Sequence, residues 1–400
     1  MDRMKNQGDN AMKLLKVEVQ GLPLFKEKMS LDFYAAQRIS KTHKMNLHRI
    51  SSNMYVNPTT AIAGINASGK TSVLKILMFV FEMLNNEPIN HIKTRNILGN
   101  TNKCTITSYF YSKRQMVYKL QTTIQCIGQD IESGWKYQIT DEKMWEKQSL
   151  KNMTKKEMFR FSDHQIIEER NENEAFLPDD VSIMIAYHKK YAEKIKIKNM
   201  MSFTNMNVLR VTENIPASVI SFLDPTVEKL YFENLEKKQI IHLKFKGKKE
   251  LVLNNQKDLE NYLSSGTIKG IVMFMMLINV MKKGGYLIVD EIENHYNKEI
   301  VSSIIKFFMD IRLNKNGATL IFTTHYPELL DLYERNDSIY ITRNENGIYL
   351  EKLSDVLKRN DIKKSDVYQS GMLEGTTPTY SSYIALKKHI AAALEDKWGE

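Results

Sequence analysis

Apolar residues recur with two different periods along this chain, and the switches between them mark its elements. Lys13–Gln20 (KLLKVEVQ) alternates apolar and polar residues toward its end, and Met29–Phe33 (MSLDF) follows Gly21-Leu22-Pro23. Both are expected as strands joined by a loop. His43–Tyr55 is polar and is expected as loop. Thr60–Ala63 is a short apolar run that enters a glycine-bounded loop, the pattern of a buried strand. From Gly69 to Asn85 the period becomes helical, with Val73, Leu74, Leu77, Met78, Phe81 and Leu84 on one face. Cys104–Ser112 and Met116–Cys126 are rich in β-branched and aromatic residues, and Ser112–Gln115 forms the turn of an antiparallel hairpin.

From about Ser133 to Met206 the sequence changes character. It is charged, carries Trp135 and Trp145, and includes a lysine-rich stretch at His188–Lys198. A mostly helical insertion is expected there, without the sustained heptad of a coiled coil. Ile240–Phe245 and Glu250–Leu253 return to a strand pattern, and from Asp258 to about residue 350 the chain alternates as α/β. An apolar helix is expected from about Thr267 to Lys282, stopped by Gly284-Gly285. The fold class that follows is α/β, a core with a mixed sheet, an N-terminal antiparallel β-subdomain and a mostly helical insertion. The expected layout is an N-terminal lobe over 1–130, the insertion over 131–235, a C-terminal lobe over 236–350 and a helical tail over 351–400.

Composition narrows the class. Of 400 residues, 42% are apolar and 26% charged, which is globular rather than disordered. The two cysteines, Cys104 and Cys126, support neither a disulfide scaffold nor a zinc site, and are expected as small buried residues on strands. No run reaches the roughly 18 apolar residues of a membrane span. The polar start MDRMKNQGDNAMK lacks a signal-peptide core. A cytoplasmic chain with no membrane partner is therefore expected. The net charge of +10 fits an acidic partner such as nucleic acid, or merely lysine-rich usage. Most of the excess sits outside the motifs, at His188–Lys198 and Lys237–Lys249.

The chemistry gathers in four places. Residues 64–71 read Gly64-Ile65-Asn66-Ala67-Ser68-Gly69-Lys70-Thr71, a GxxxxGK[ST] loop between strand and helix. Gly64 and Gly69 let the backbone curl so that its N–H groups face phosphate oxygens, with Asn66 and Ser68 within the same loop. Lys70 is placed to reach the β- and γ-phosphates of ATP, Thr71 to offer its hydroxyl to Mg²⁺, and Ser72 to contact the α-phosphate. Tyr286–Glu291 is an apolar strand ending in two carboxylates. Asp290 suits the metal, and Glu291 an attacking water. Ala318–His325 is a second such strand, whose His325 can sense the γ-phosphate. Leu263-Ser264-Ser265-Gly266-Thr267 opens a helix, where Ser264 and Gly266 form an anion-binding start.

These motifs resemble the ABC-type ATPase superfamily in its SMC/RecF-like branch, and most of all the AAA-family ATP-binding proteins of bacterial phage-defence operons. GINASGKTS is similar to that branch's phosphate loop, LSSGT to its signature, LIVDEIEN to its Walker B and D-loop, and IFTTHYPELL to its histidine switch. The resemblance covers the first hundred residues and roughly 258–335. It implies a head-to-tail homodimer or higher oligomer that sandwiches two ATP molecules between Lys70 of one subunit and Ser264 and Gly266 of the other. Glu291 would be the base, His325 the switch, and Ile292-Glu293-Asn294-His295 the D-loop. Ala67 departs from the usual glycine, and the lid glutamine is unassigned between Gln121 and Gln125. The functions implied are an ATPase switch in anti-phage defence, a DNA-repair ATPase, or a nucleotide-gated scaffold for a separate nuclease or toxin effector. A fused nuclease is disfavoured, because no DxD-type acidic cluster follows His325.

Overall fold

The computed structural model describes residues 12–130, 134–170, 177–202, 215–235, 238–294, 296–373 and 380–395. The described residues begin with β1 (Lys13–Gln20) and β2 (Met29–Asp32), then the short strands β3 (His48–Arg49) and β4 (Tyr55–Val56). β5 (Thr59–Ala63) leads through the glycine-rich loop to α1 (Lys70–Leu84). There follow β6 (Cys104–Tyr111), β7 (Met116–Asp130), β8 (Gly134–Gln148), α2 (Lys155–Met158), β9 (Ile166–Glu169), α3 (Met184–Tyr191), β10 (Ile197–Asn199) and α4 (Ala217–Leu223). β11 (Val227–Leu235), β12 (Lys238–Phe245) and β13 (Leu251–Leu253) form a separate three-stranded sheet. The chain then runs through α5 (Ser265–Lys283), β14 (Tyr286–Val289), α6 (Lys298–Met309), β15 (Thr319–Thr324), β16 (Ile339–Asn344) and β17 (Ile348–Lys352). It ends with α7 (Leu353–Val356), α8 (Lys364–Gln369) and α9 (Tyr380–Glu395).

The central sheet has the order β10-β14-β15-β5-β16-β17, parallel except for β17. Its inner strands are buried on both faces, which explains why they read as continuous apolar runs. Ile62, Ile288 and Ile321 face one core, with α1. Ala61, Leu287, Val289, Leu320 and Phe322 face the other, with α5 and α6. The first core also takes in the antiparallel sheet β2-β1-β6-β7-β8-β9, so α1 lies between two sheets. That position buries nearly its whole circumference, adding Ile76, Phe79, Val80 and Met83 to the face expected from period alone. Cys104 is buried on β6 and Cys126 half-buried on β7.

The mostly helical insertion is not what forms. Gly134–Gln148 is one long strand, paired along its length with β7, and among the described residues between 134 and 235 the helical pieces are α2, α3, α4 and a 3-10 turn at Asp163–Gln165. The alternation was present in Trp135, Tyr137 and Ile139, but Glu142 occupies an inward position and disguises it. Glu142 is fully buried and accepts from the Thr122 hydroxyl, the Ser182 hydroxyl and the Ile183 N–H. The β7–β8 pairing also crosses the expected boundary at residue 131, so β8 belongs to the antiparallel sheet. Residues 131–133, 171–176 and 203–214 of that insertion lie outside the described residues.

α5 follows the expected course. Ser264 caps its first turn by accepting from Thr267 N–H at 3.0 Å, and Gly284 ends it in a left-handed conformation at φ 66°. By length and composition α5 could cross a membrane, yet 56% of its apolar window is buried inside the fold.

Candidate nucleotide site

β5, β15 and β14 are neighbours in the sheet, so the loops at their carboxyl ends meet. That edge is where open α/β sheets bind ligands. The phosphate loop follows β5. Gly69 has φ 100°, and a side-chain carbon at Gly64 would sit 2.2 Å from the Thr342 hydroxyl and 2.3 Å from the Ser68 hydroxyl. Both glycines are therefore required, one by backbone conformation and one by space. Ala67 stands where a glycine was expected and holds φ 61°. β16 grips the loop from the side: the Thr342 and Ser68 hydroxyls are 2.7 Å apart, and Asn344 donates its amide to Ala67 O at 3.1 Å.

Lys70 is buried and curls back over the loop, donating to Gly64 O at 2.8 Å and Ile65 O at 2.9 Å. Its Nζ also lies 3.3 Å from His325 Nδ1. Burial lowers its ammonium pKa, and the charges of Glu291, Glu293 and Asp290 oppose that without cancelling it. The Thr71 hydroxyl donates to Asp290 Oδ2 at 2.7 Å, and the Thr323 hydroxyl to Asp290 Oδ1 at 2.5 Å.

Glu291 begins the turn after β14 with φ 48°, a left-handed conformation that side chains rarely adopt. Its N–H donates to the Thr323 hydroxyl at 2.7 Å. Its carboxylate accepts from Asn294 Nδ2 at 2.6 Å and faces His325 Nε2 at 3.2 Å. Burial pushes the Glu291 carboxyl up, but the hydrogen bonds from Asn294 and His325 and the Lys70 charge outweigh it, so it stays below its ordinary range. An ionised carboxylate that keeps an open edge is what a proton acceptor needs.

The sequence-selected Gly64, Ser68, Gly69, Lys70, Thr71, Asp290, Glu291 and His325 thus converge. Asn66 is exposed at the loop tip, and Ser72 half-buried in the first turn of α1. No side-chain hydrogen bond among the described residues joins Ser264 or Gly266 to this group. Ser264 is exposed, and among the described residues its side chain bonds only within α5, to Thr267. Gln121 and Gln125 lie within the continuous β7 ladder rather than in a loop. His295 of the expected D-loop lies outside the described residues. Sequence reasoning missed Thr323, which anchors both Asp290 and Glu291, and Thr342 and Asn344, which brace the loop. Thr323 sits two residues before the motif histidine in IFTTH, but only the pairing of β14 with β15 gives it a role.

Thr71 and Asp290 supply oxygen ligands of the class magnesium takes, and together they fit that ion. Bound there, it would offset phosphate charge.

The comparison with curated proteins finds no match. The family described as "AAA domain, putative AbiEii toxin, Type IV TA system" matches residues 59–331, more than half the chain and all of the converging residues. With its phosphate loop, acidic strand end and histidine on three adjacent strands, the chain belongs to this AAA-domain family of P-loop ATPases.

Proposed function

We propose that this protein is an ATP-binding and ATP-hydrolysing switch of ABC type, which closes as a homodimer around nucleotide and serves an anti-phage defence system by gating a separate effector. The observation that carries the ATPase reading is the chain of contacts from Lys70 through His325 to Glu291, beside the Thr71–Asp290 pair. In this reading the loop N–H groups cradle the phosphates, and Lys70 leaves the Gly64 and Ile65 carbonyls to meet them. Glu291 accepts the proton of the attacking water. His325 holds the γ-phosphate and couples its presence to Glu291.

Support for dimerisation comes from Ser264 and Gly266. They form a well-capped helix start, yet no side-chain hydrogen bond among the described residues brings them to the phosphate loop. A second copy placed head to tail would complete each site. The defence role rests on the family's description, which names a toxin of a type IV system, and on the resemblance of the motifs. The effector would be a separate protein.

Lys70→Ala tests the site. Phosphate release from Mg-ATP is expected to fall by about 100-fold or more. Unchanged release would remove the assignment.

A further inference from the structure

Two residues beyond Glu291, the chain buries a second acid. Glu293 is 7% exposed, although it belongs to the turn after β14 rather than to a strand. One of its carboxylate oxygens, Oε1, accepts the main-chain N–H of His325. The other, Oε2, is enclosed without a hydrogen-bond partner. A buried carboxylate with an unmet oxygen costs stability. The cost is therefore borne at the residue that holds the histidine.

Three hydrogen bonds stitch this turn to the end of β15. Glu291 N–H donates to the Thr323 hydroxyl, Ile292 N–H donates to Thr323 O at 3.1 Å, and His325 N–H donates to Glu293. The first two fix the turn to the strand. The third fixes the histidine to the turn. It acts on the backbone, so it sets where the imidazole stands without touching the ring. That ring spans the narrow space between Lys70 Nζ at 3.3 Å and Glu291 Oε1 at 3.2 Å. Both contacts are near the limit of hydrogen bonding, so a shift of about 1 Å in the main chain breaks one of them.

We propose that Glu293 is a positioning residue for hydrolysis: by accepting the His325 N–H it holds the imidazole in register between Lys70 and Glu291. The proposal rests on the ATPase reading above and deepens it. Glu293 contacts neither the phosphate loop nor Thr71 through any hydrogen bond of its side chain among the described residues. It reaches the site through His325 and, as a charge, Lys70, so its loss is expected to weigh on turnover more than on nucleotide affinity.

The test compares Glu293→Gln with Glu293→Ala. A glutamine carbonyl can accept the same N–H, whereas alanine leaves it unpaired. Glu293→Gln is expected to keep kcat within about 3-fold of the parent, and Glu293→Ala to lower kcat by about 10-fold or more with KM for ATP nearly unchanged. A loss confined to thermal stability, with kcat per folded molecule intact, would overturn the proposal. So would a glutamine variant as impaired as alanine, which would assign the effect to charge rather than to the bond. Amide exchange of histidine-labelled protein gives a readout that does not need turnover. The His325 N–H should stay protected in the parent and in Glu293→Gln, and exchange faster in Glu293→Ala. If the parent hydrolyses no ATP, the ATPase reading falls, and equal protection in all three proteins separately refutes the positioning role.

Discussion

Ala67 and Glu291 hold left-handed backbones without being glycine, at φ 61° and 48°. Such conformations cost about 1–2 kcal/mol each and persist where surrounding bonds over-determine them. Asn344 fixes the first through Ala67 O, and Thr323 the second through Glu291 N–H. Away from the site, Lys13 is a buried lysine. It is 7% exposed, donates to Gly284 O and Gly317 O, and lies 5.6 Å from the centre of the Tyr286 ring. Burial lowers its pKa from 10.5 to about 7. Between those values the unfolded chain keeps a proton that the folded chain has released, so stability rises with pH across that window. Urea unfolding at about pH 7 and about pH 9.5 should show a gain on the order of 2 kcal/mol from this residue, absent in Lys13→Met. The same gain in both proteins would contradict it. Nothing in KLLKVEVQ announces this, because the carbonyls that Lys13 meets come from loops more than 270 residues away.

At the scale of elements, β14 and β15 act as one unit through Thr323. Its hydroxyl accepts from Glu291 N–H and donates to Asp290. Thr323→Val keeps the shape of the strand and removes both bonds. Turnover is expected to fall about 10-fold or more, with a stability loss of only about 1–2 kcal/mol. A fully active valine variant would show that the pair of acids holds its place unaided. Asp290, Glu291 and His325 were legible in the sequence because they follow short apolar strands, where local pattern suffices. Their braces were not, since Thr323, Thr342 and Asn344 acquire a role only when β14, β15, β5 and β16 lie side by side. The same distinction separates α1, whose period identified it, from β8. A charged strand containing a buried glutamate imitates a solvent-facing helix until its partners Thr122 and Ser182 are known.

At the scale of the whole molecule, the proposed dimer makes this site one half of a shared one. Lys70, Glu291 and His325 meet in one chain, while no hydrogen bond among the described residues joins the Ser264 side chain to them. If ATP joins two such halves, blocking the proton-accepting step should hold them together. The direct test is the mass of Glu291→Gln by light scattering, with and without Mg-ATP. The expected mass is about twice the 46.6 kDa of one chain in the presence of ATP, returning to the single-chain mass when ATP is removed. A variant that binds ATP yet keeps the same mass in both conditions would contradict a nucleotide-driven dimer.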